Sequence, residues 1–315
     1  MPKTCQRLII IPHRYLHILP IHTFPLKNGE YFYQNFAKGI AYAPSCQILN
    51  LVKQSSKQTK LYRLFAINNP TRQDLKPLLG ANLEIEKIKQ GFELEQTVII
   101  AEKKASEKII TQRKQELQSA HCIHFSCHGK FNPESPLDSA LCLADPEGNL
   151  GESANLTLAE VFEKLDLKQC RLVTFSACES GMTDPNIISD EYIGLPSGFL
   201  FAGSSSVVST LWTVDPLATA LFMSKFYHNL QRISNLEQGS IAITLNKTQK
   251  WLRTLTSKEL ARIKNSRKFE QLLDKVFENK RERLKFKDLL ESAVKRQPYP
   301  FENPYYWTGF IATGV

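Results

Sequence analysis

A histidine and a cysteine stand out because each follows an apolar, strand-like segment. His128 and Gly129 come after the segment 123–127, and Cys178 comes after the segment 172–177. A thiol is mostly protonated near neutral pH, and only the thiolate attacks a carbonyl carbon effectively. An imidazole beside it can accept the thiol proton and later protonate a leaving amine. The pair therefore suggests attack on a carbonyl, with Cys178 as the nucleophile and His128 as its partner base.

A backbone site for the developing oxyanion is expected close to the same two residues. Gly129 follows the histidine directly, and Gly181 follows the cysteine after two residues. Glycines allow tight turns that aim backbone N–H groups at one point, and such groups stabilise an oxyanion. We expect the amides of Gly129 and Cys178 to serve this purpose.

These residues can meet only if the two segments are neighbouring strands of one sheet. Short apolar segments alternate with segments of helical spacing, which predicts an α/β fold with a mostly parallel sheet. In such a sheet, residues just past the carboxyl ends of strands face the ligand crevice. The predicted strands are 61–67, 97–101, 121–127, 140–143, 171–176, 206–212 and 307–312. The predicted helices are 83–92, 105–119, 157–165, 191–202 and one that begins at Pro216.

The N-terminal segment and a segment before the last strand do not follow this alternation of strands and helices. The apolar segment 8–21 predicts two short strands joined by a turn, so residues 1–60 are expected to form a hairpin and a lead-in. The remainder, 61–315, is expected to be the catalytic domain. Within it, 238–296 is helical and breaks the alternation, which indicates a helical insertion before the last strand.

The helical insertion holds the positive net charge of the chain. Residues 246–296 hold 16 Lys/Arg and 7 Asp/Glu, a surplus of nine that equals the net charge of the whole chain. A locally basic surface of this kind argues against a protein built around nucleic-acid binding, and no interleaved aromatic residues suggest base stacking. Apolar residues at helical spacing, such as Leu272, Leu273 and Val276, need a packing partner. Either the sheet supplies it, or the insertion docks an acidic regulator or substrate segment.

The cellular setting follows from hydropathy and cysteine usage. No apolar run reaches the roughly 18 residues that are needed to cross a bilayer. Seven cysteines are too few for a disulfide scaffold of this length, and four of them lie in apolar segments typical of packing. We expect a cytoplasmic protein that does not contact a membrane.

A zinc site is the competing interpretation of the segment around His128. It also holds His121, Cys122, His124 and Cys127. Strand alternation places 122, 124 and 128 on one face and the other two on the opposite face, which does not suit tetrahedral coordination. We therefore expect no metal and no cofactor, and we interpret His124 as a buried histidine of the core.

Several motifs in order along the chain resemble one family. They are LIIIPHRYLHIL at 8–19, YAPS at 42–45, HFSCHG at 124–129, SACESG at 176–181, DEYIGL at 190–195, STLWTVD at 209–215 and PYYW at 304–307. Together they resemble the CHAT domain, a caspase-like peptidase domain related to separase and caspases and often attached to tetratricopeptide repeats. In caspases the histidine lies about 50 residues before the nucleophile, which is the separation of His128 and Cys178.

The resemblance implies a caspase-like α/β sandwich and a cysteine endopeptidase with a His128–Cys178 dyad, no metal and a defined P1 residue. It also implies a protein substrate, a tetratricopeptide-repeat or other regulatory partner, and a catalytic portion of a longer protein. A catalytically silent scaffold is the alternative, although a scaffold does not need the dyad. The chain departs from the family pattern in its long basic insertion.

The P1 pocket is expected to contain acidic residues. Asp215 follows Trp-Thr-Val where the clan builds this pocket, with Asp190 and Glu191 as further candidates. A carboxylate there would pair with a basic P1 side chain, best with Arg. Family members often carry two acids at this point, whereas here Pro216 follows Asp215. An equally open interpretation is that Asp215 caps the helix that begins at Pro216.

Overall fold

The computed structural model describes residues 5–54, 59–132, 134–145, 154–176, 194–296 and 298–315. Their strands are β1 (Leu8–Ile10), β2 (Ile40–Tyr42), β3 (Leu64–Asn68), β4 (Thr97–Ala101), β5 (Cys122–Ser126), β6 (His128–Lys130), β7 (Ala140–Cys142), β8 (Asn155–Thr157), β9 (Leu172–Phe175), β10 (Ser206–Thr210) and β11 (Phe310–Gly314). Their helices are α1 (Cys46–Gln54), α2 (Ala81–Ile88), α3 (Glu107–Gln112), α4 (Lys114–Ser119), α5 (Leu158–Lys164), α6 (Leu195–Phe201), α7 (Pro216–Gln231), α8 (Ser240–Thr254), α9 (Ser257–Lys264), α10 (Arg267–Val276) and α11 (Lys280–Lys295).

Eight strands form one sheet in the order β1-β2-β11-β10-β9-β5-β3-β4. The five strands from β10 to β4 are parallel, and β11 runs antiparallel to β10. β5 lies directly beside β9, with Phe125 level with Phe175. The prediction of a mostly parallel sheet is confirmed, and the two strands that precede His128 and Cys178 are neighbours with their carboxyl ends at the same edge.

Helices cover both faces of the sheet, because the central strands are apolar on both sides. On one face Leu64, Cys122 and Leu172 pack with α2, α7 and α8. On the other face Ile123 and Val173 pack with helices that include α5 and α6. The result is a three-layer sandwich of the predicted class. None of the described helices is long and apolar enough to cross a membrane.

The predicted N-terminal hairpin is wrong. Only Leu8–Ile10 forms a strand, and the chain then turns through a short 3-10 helix at Arg14–Ile18. β1 pairs in parallel with β2, which pairs in parallel with β11. Pro12 and the left-handed backbone at Arg14 (φ 48°) interrupt the apolar run that resembled a second strand. Both strands that precede residue 60 thus belong to the main sheet.

The helical insertion packs mainly on other helices. α8 contacts α7 and the strands β2 and β11, whereas α10 and α11 contact α2 and α7. Leu272, Leu273 and Val276 are buried in this helical layer, as are Phe286 and Leu290. The expected packing on the sheet is therefore correct only for α8, because α2 and α7 already cover the part of the sheet nearest to α10 and α11.

Candidate functional site

His128 begins β6, two residues after the end of β5. Its Nε2 lies 2.8 Å from the carbonyl oxygen of Lys76, in the loop between β3 and α2. A carbonyl oxygen only accepts hydrogen bonds, so in the neutral imidazole Nε2 carries the proton and Nδ1 is left with a lone pair. Nδ1 is therefore the atom of His128 that can accept a proton from a nucleophile.

The loop that carries Lys76 is fastened to the small antiparallel sheet of β6, β7 and β8. Arg72 binds both oxygens of Asp74 at 2.8 Å and donates to Oδ1 of Asn155 in β8 at 3.0 Å. The Arg72 side chain is largely buried, and its guanidinium holds the pKa of Asp74 below the usual value. Because the same sheet carries His128, the carbonyl and the imidazole are held by one connected unit.

The predicted nucleophile Cys178 and the predicted pocket acids Asp190 and Glu191 lie outside the described residues. Ser176 is the last described residue before them, and its N–H donates to the carbonyl of Phe125 at 3.0 Å. The pairing of β5 with β9 offsets the two strands by 50 residues, which is also the separation of the predicted dyad. The structure thus places the two strands that precede the predicted dyad side by side. The position of Cys178 itself stays a prediction.

Gly129 is the described part of the predicted oxyanion site. It lies in β6, level with Leu141 of β7, at the point where the chain leaves the main sheet. The contribution of the Gly129 amide to an oxyanion site stays a prediction, as does that of the Cys178 amide.

Asp215 caps α7. Its Oδ1 accepts a hydrogen bond from the N–H of Ala218 at 2.9 Å, which confirms the capping interpretation. A cavity of about 50 Å³ lies between the carboxyl ends of β5 and β9 and the first turns of α2 and α7. Val214 and Pro216 line it, and so does Ser176. The neighbours of Asp215 thus border a cavity beside the predicted site, and the P1 role of Asp215 stays a prediction.

The sequence prediction missed Glu84, which lies in the first turn of α2 and is only 2% exposed. Its Oε2 accepts hydrogen bonds from the hydroxyls of Ser126 at 3.3 Å and Ser176 at 3.0 Å. Its Oε1 lies 3.2 Å from Nε2 of His124. The available signal was spacing, because Glu84 falls between Ala81 and Ile88 on the core-facing side of the helix.

The residues of the rejected zinc site have other partners. His124 is fully buried and its Nδ1 lies 2.6 Å from Oγ1 of Thr174, which confirms it as a core histidine. His121 accepts a hydrogen bond from the N–H of Tyr62 at 3.3 Å. Within the described ranges, no three His, Cys, Asp or Glu side chains are grouped to hold a metal ion.

Six cysteines lie among the described residues, and four of them are buried. Burial raises the pKa of the thiols of Cys122 and Cys142, and it raises that of Cys170 to about 12. These three thiols are therefore neutral near pH 7 and unsuited to nucleophilic attack. They are packing residues, as their apolar segments predicted.

The sequence matches the CHAT domain over residues 1–315. No curated protein matches it significantly. Among solved structures, a chain of the Saccharomyces cerevisiae separase–securin complex is 17% identical with a TM-score of 0.50, and the match covers 77% of this chain and 14% of that one. The present chain also matches the Arg-specific cysteine proteinase gingipain R of Porphyromonas gingivalis, with 9% identity and a TM-score of 0.45. That match covers 67% of this chain and 50% of the gingipain.

A third similar structure is the Drosophila initiator caspase Dronc, with 11% identity and a TM-score of 0.35 over 62% of this chain and 74% of the caspase. The chain thus spans only a small part of the separase and half of the gingipain. The likeness to separase concerns the fold, and it agrees with the parallel sheet and the helical layers described above. The match over the full sequence goes further and assigns the family. The chain belongs to the CHAT domain family.

Proposed function

We propose that the chain is a cysteine endopeptidase that acts through Cys178 and His128. The observation that supports this most is the contact of His128 Nε2 with the carbonyl of Lys76 at 2.8 Å. It leaves Nδ1 as a base at the carboxyl end of β5, beside the strand that leads to Cys178. Within the described residues, the contact with Lys76 thus orients the ring so that Nδ1 is the nitrogen available to accept a proton.

The proposed reaction has two steps. His128 accepts the thiol proton, and the Cys178 sulfur attacks the scissile carbonyl carbon while the amides of Gly129 and Cys178 bind the oxyanion. The C–N bond breaks as His128 returns the proton to the leaving amine, which leaves an acyl-enzyme. Water then attacks the acyl group with His128 as the base, and the thiol is released.

The proposed substrate is a specific protein, and a regulator such as a tetratricopeptide-repeat protein controls its cleavage. The substrate class and the partner follow from the family and not from a bound molecule. Incubation of the chain with a peptide library and identification of the cleaved bonds tests this function. Absence of any cleavage by the folded chain, alone and with candidate partners, would favour the catalytically silent scaffold instead.

We predict a preference for Arg or Lys at P1, with Asp215 as the pocket carboxylate. Asp215→Asn should lower kcat/KM for peptides with Arg at P1 by roughly 10- to 100-fold, because a charge-assisted hydrogen bond contributes about 1.5–3 kcal/mol. Asparagine is also a good N-cap, so α7 should keep its first turn and the unfolding temperature should change little. Kinetics with matched Arg and Leu peptides measures the effect.

The P1 prediction has two clear controls. Asp190→Asn and Glu191→Gln test the other candidate acids in the same assay. A wild-type preference for acidic or bulky apolar P1 residues would contradict the basic-P1 proposal. Equal losses for the Arg and Leu peptides in Asp215→Asn would instead mean that Asp215 acts only as the cap of α7.

The helical insertion offers an exposed basic surface at the start of α11. Lys264, Lys275, Arg283 and Lys287 pair with acidic side chains of the chain itself. Lys280, Arg281 and Lys285 are exposed and have no acidic partner in the described part of the chain, and Leu284 among them is 61% exposed. We propose that these three residues, the α11 basic surface, receive an acidic segment of the substrate or regulator.

Reversal of the charge of the α11 basic surface should separate protein substrates from peptides. The triple variant Lys280→Glu, Arg281→Glu, Lys285→Glu should cleave a short peptide at the wild-type rate. It should cleave an acidic protein substrate more slowly, most strongly at low ionic strength, because salt screens exposed charges. Lys280 and Arg281 lie in the first turn of α11, where acidic residues are favourable, so the helix should remain folded.

A matched control is the reversal of three other exposed lysines: Lys103 and Lys104, which follow β4, and Lys108 in α3. This variant has the same net charge but should leave cleavage of the protein substrate unchanged. If both triple variants slow cleavage equally, the effect comes from net charge and the α11 basic surface has no specific role.

A further inference from the structure

A single buried carboxylate joins the two strand ends that carry the predicted dyad. Oε2 of Glu84 accepts hydrogen bonds from Ser126, which ends β5, and from Ser176, which follows β9. Ser126 lies two residues before His128, and Ser176 lies two residues before Cys178. The carboxylate therefore binds both strands at the same distance along the chain from the dyad.

The second oxygen of Glu84 extends the same network into the core. Oε1 lies 3.2 Å from Nε2 of His124, and neither atom makes a hydrogen bond in the part of the chain that the structure describes. His124 Nδ1 lies 2.6 Å from Oγ1 of Thr174, which lies 2.6 Å from the hydroxyl of Tyr227. Tyr227 can donate to Thr174 and Thr174 to Nδ1 of His124, which places the proton of the neutral imidazole on Nε2, the ring nitrogen nearest to Glu84.

Packing alone does not explain an acidic side chain at this position. Removal of a carboxylate from water is costly, and replacement of buried charged groups by apolar residues of similar volume is often neutral or stabilising. Glu84 is 2% exposed, and among the described residues no Lys or Arg pairs with it. The first turn of α2 favours a negative charge, and the hydrogen bonds of the carboxylate reach the ends of β5 and β9, which indicates that it helps to set how these two strands lie relative to each other.

We propose that Glu84 is a positioning residue for the proposed dyad. Its carboxylate fixes the spacing of the ends of β5 and β9, and with it the approach of His128 to the nucleophile. Glu84 contacts no substrate in this role and acts through Ser126 and Ser176. The inference rests on the proposed peptidase function, and its test includes a measurement that does not require peptide cleavage.

The kinetic test compares Glu84→Ala and Glu84→Gln with the wild type on a short peptide. Both variants should lower kcat by at least about tenfold with KM within about twofold, because misplacement of reacting groups by 1 Å can cost 100-fold. Glu84→Asp, which keeps the charge on a shorter side chain, should recover part of kcat. Ser126→Ala with Ser176→Ala should lower kcat in the same way.

Gln249→Ala controls for lost stability. Gln249 is also fully buried and donates to the carbonyls of Trp307 and Phe310, far along the sheet from β5. It should lower the unfolding temperature to a similar extent as Glu84→Ala but leave kcat of the folded fraction unchanged. If Glu84→Gln, corrected for its folded fraction, cleaves peptide like the wild type, the positioning role is overturned.

Alkylation of Cys178 by iodoacetamide, followed by mass spectrometry across pH, separates this inference from the proposed function. We expect Glu84→Gln to react more slowly than the wild type near neutral pH, because His128 accepts the thiol proton less well. A wild type that cleaves no peptide but shows this difference would overturn the peptidase and keep the positioning role. Identical alkylation profiles in all variants would overturn the positioning role, whatever the result of the cleavage assay.

Discussion

Cys178→Ala should reduce peptide cleavage to the background level while the chain remains folded. Enzymes accelerate their reactions by roughly 10⁶-fold or more, and loss of the nucleophile removes most of that acceleration. The substitution removes a single sulfur atom, so the unfolding temperature should stay close to that of the wild type. Cleavage of a peptide found in the library screen, followed over hours at high enzyme concentration, measures the residual rate.

Cys127→Ala provides the matched control for the loss of a thiol. Cys127 directly precedes His128 but is fully buried in the core on the face of the sheet that packs with α5 and α6. Removal of its sulfur should lower stability modestly and leave kcat within a few-fold of the wild type. Cleavage by Cys178→Ala at the wild-type rate, or complete loss in Cys127→Ala, would show that the nucleophile was assigned to the wrong cysteine.

The α/β fold could be predicted because its central strands are strongly apolar and regularly spaced. The strands β3, β4, β5, β9 and β10 lie where the apolar segments indicated, and so do the helices that follow them. The three-residue strands β2, β6 and β8 were missed, since so short a segment shows no periodicity, whereas β7 was predicted as the apolar segment 140–143. The segment 105–119 forms two helices, α3 and α4, because the chain leaves the helical conformation at Arg113.

The site could be predicted only in part, because its residues differ in how far sequence reveals them. His128 was found from its place at the end of an apolar strand. The carbonyl of Lys76 and the clamp of Arg72 on Asn155 depend on contacts between distant segments, and a backbone carbonyl has no signature in a sequence. Glu84 was missed because a charged residue in an amphipathic helix is normally assigned to the exposed face.

His128→Gln should lower kcat by about 100- to 10,000-fold, the usual contribution of a general base, with little change in KM. Glutamine is the informative substitution because its side-chain amide can donate to the carbonyl of Lys76 as Nε2 of His128 does. The loop and β6 should therefore keep their positions, and only the proton acceptor at Nδ1 is lost. Peptide kinetics and thermal unfolding of the same preparation separate these two effects.

His121→Gln, at the other end of β5, is the control for His128→Gln. His121 precedes the first residue of β5, where its Nδ1 accepts a hydrogen bond from the N–H of Tyr62, and the carbonyl oxygen of a glutamine can accept that bond equally well. His121→Gln should therefore retain wild-type kinetics. If His128→Gln also retains them, the contact with Lys76 only fastens the loop, and the base of the proposed reaction lies elsewhere. A loss confined to His128→Gln would instead tie the chemistry to Nδ1 of His128, at the edge where β5 and β9 end.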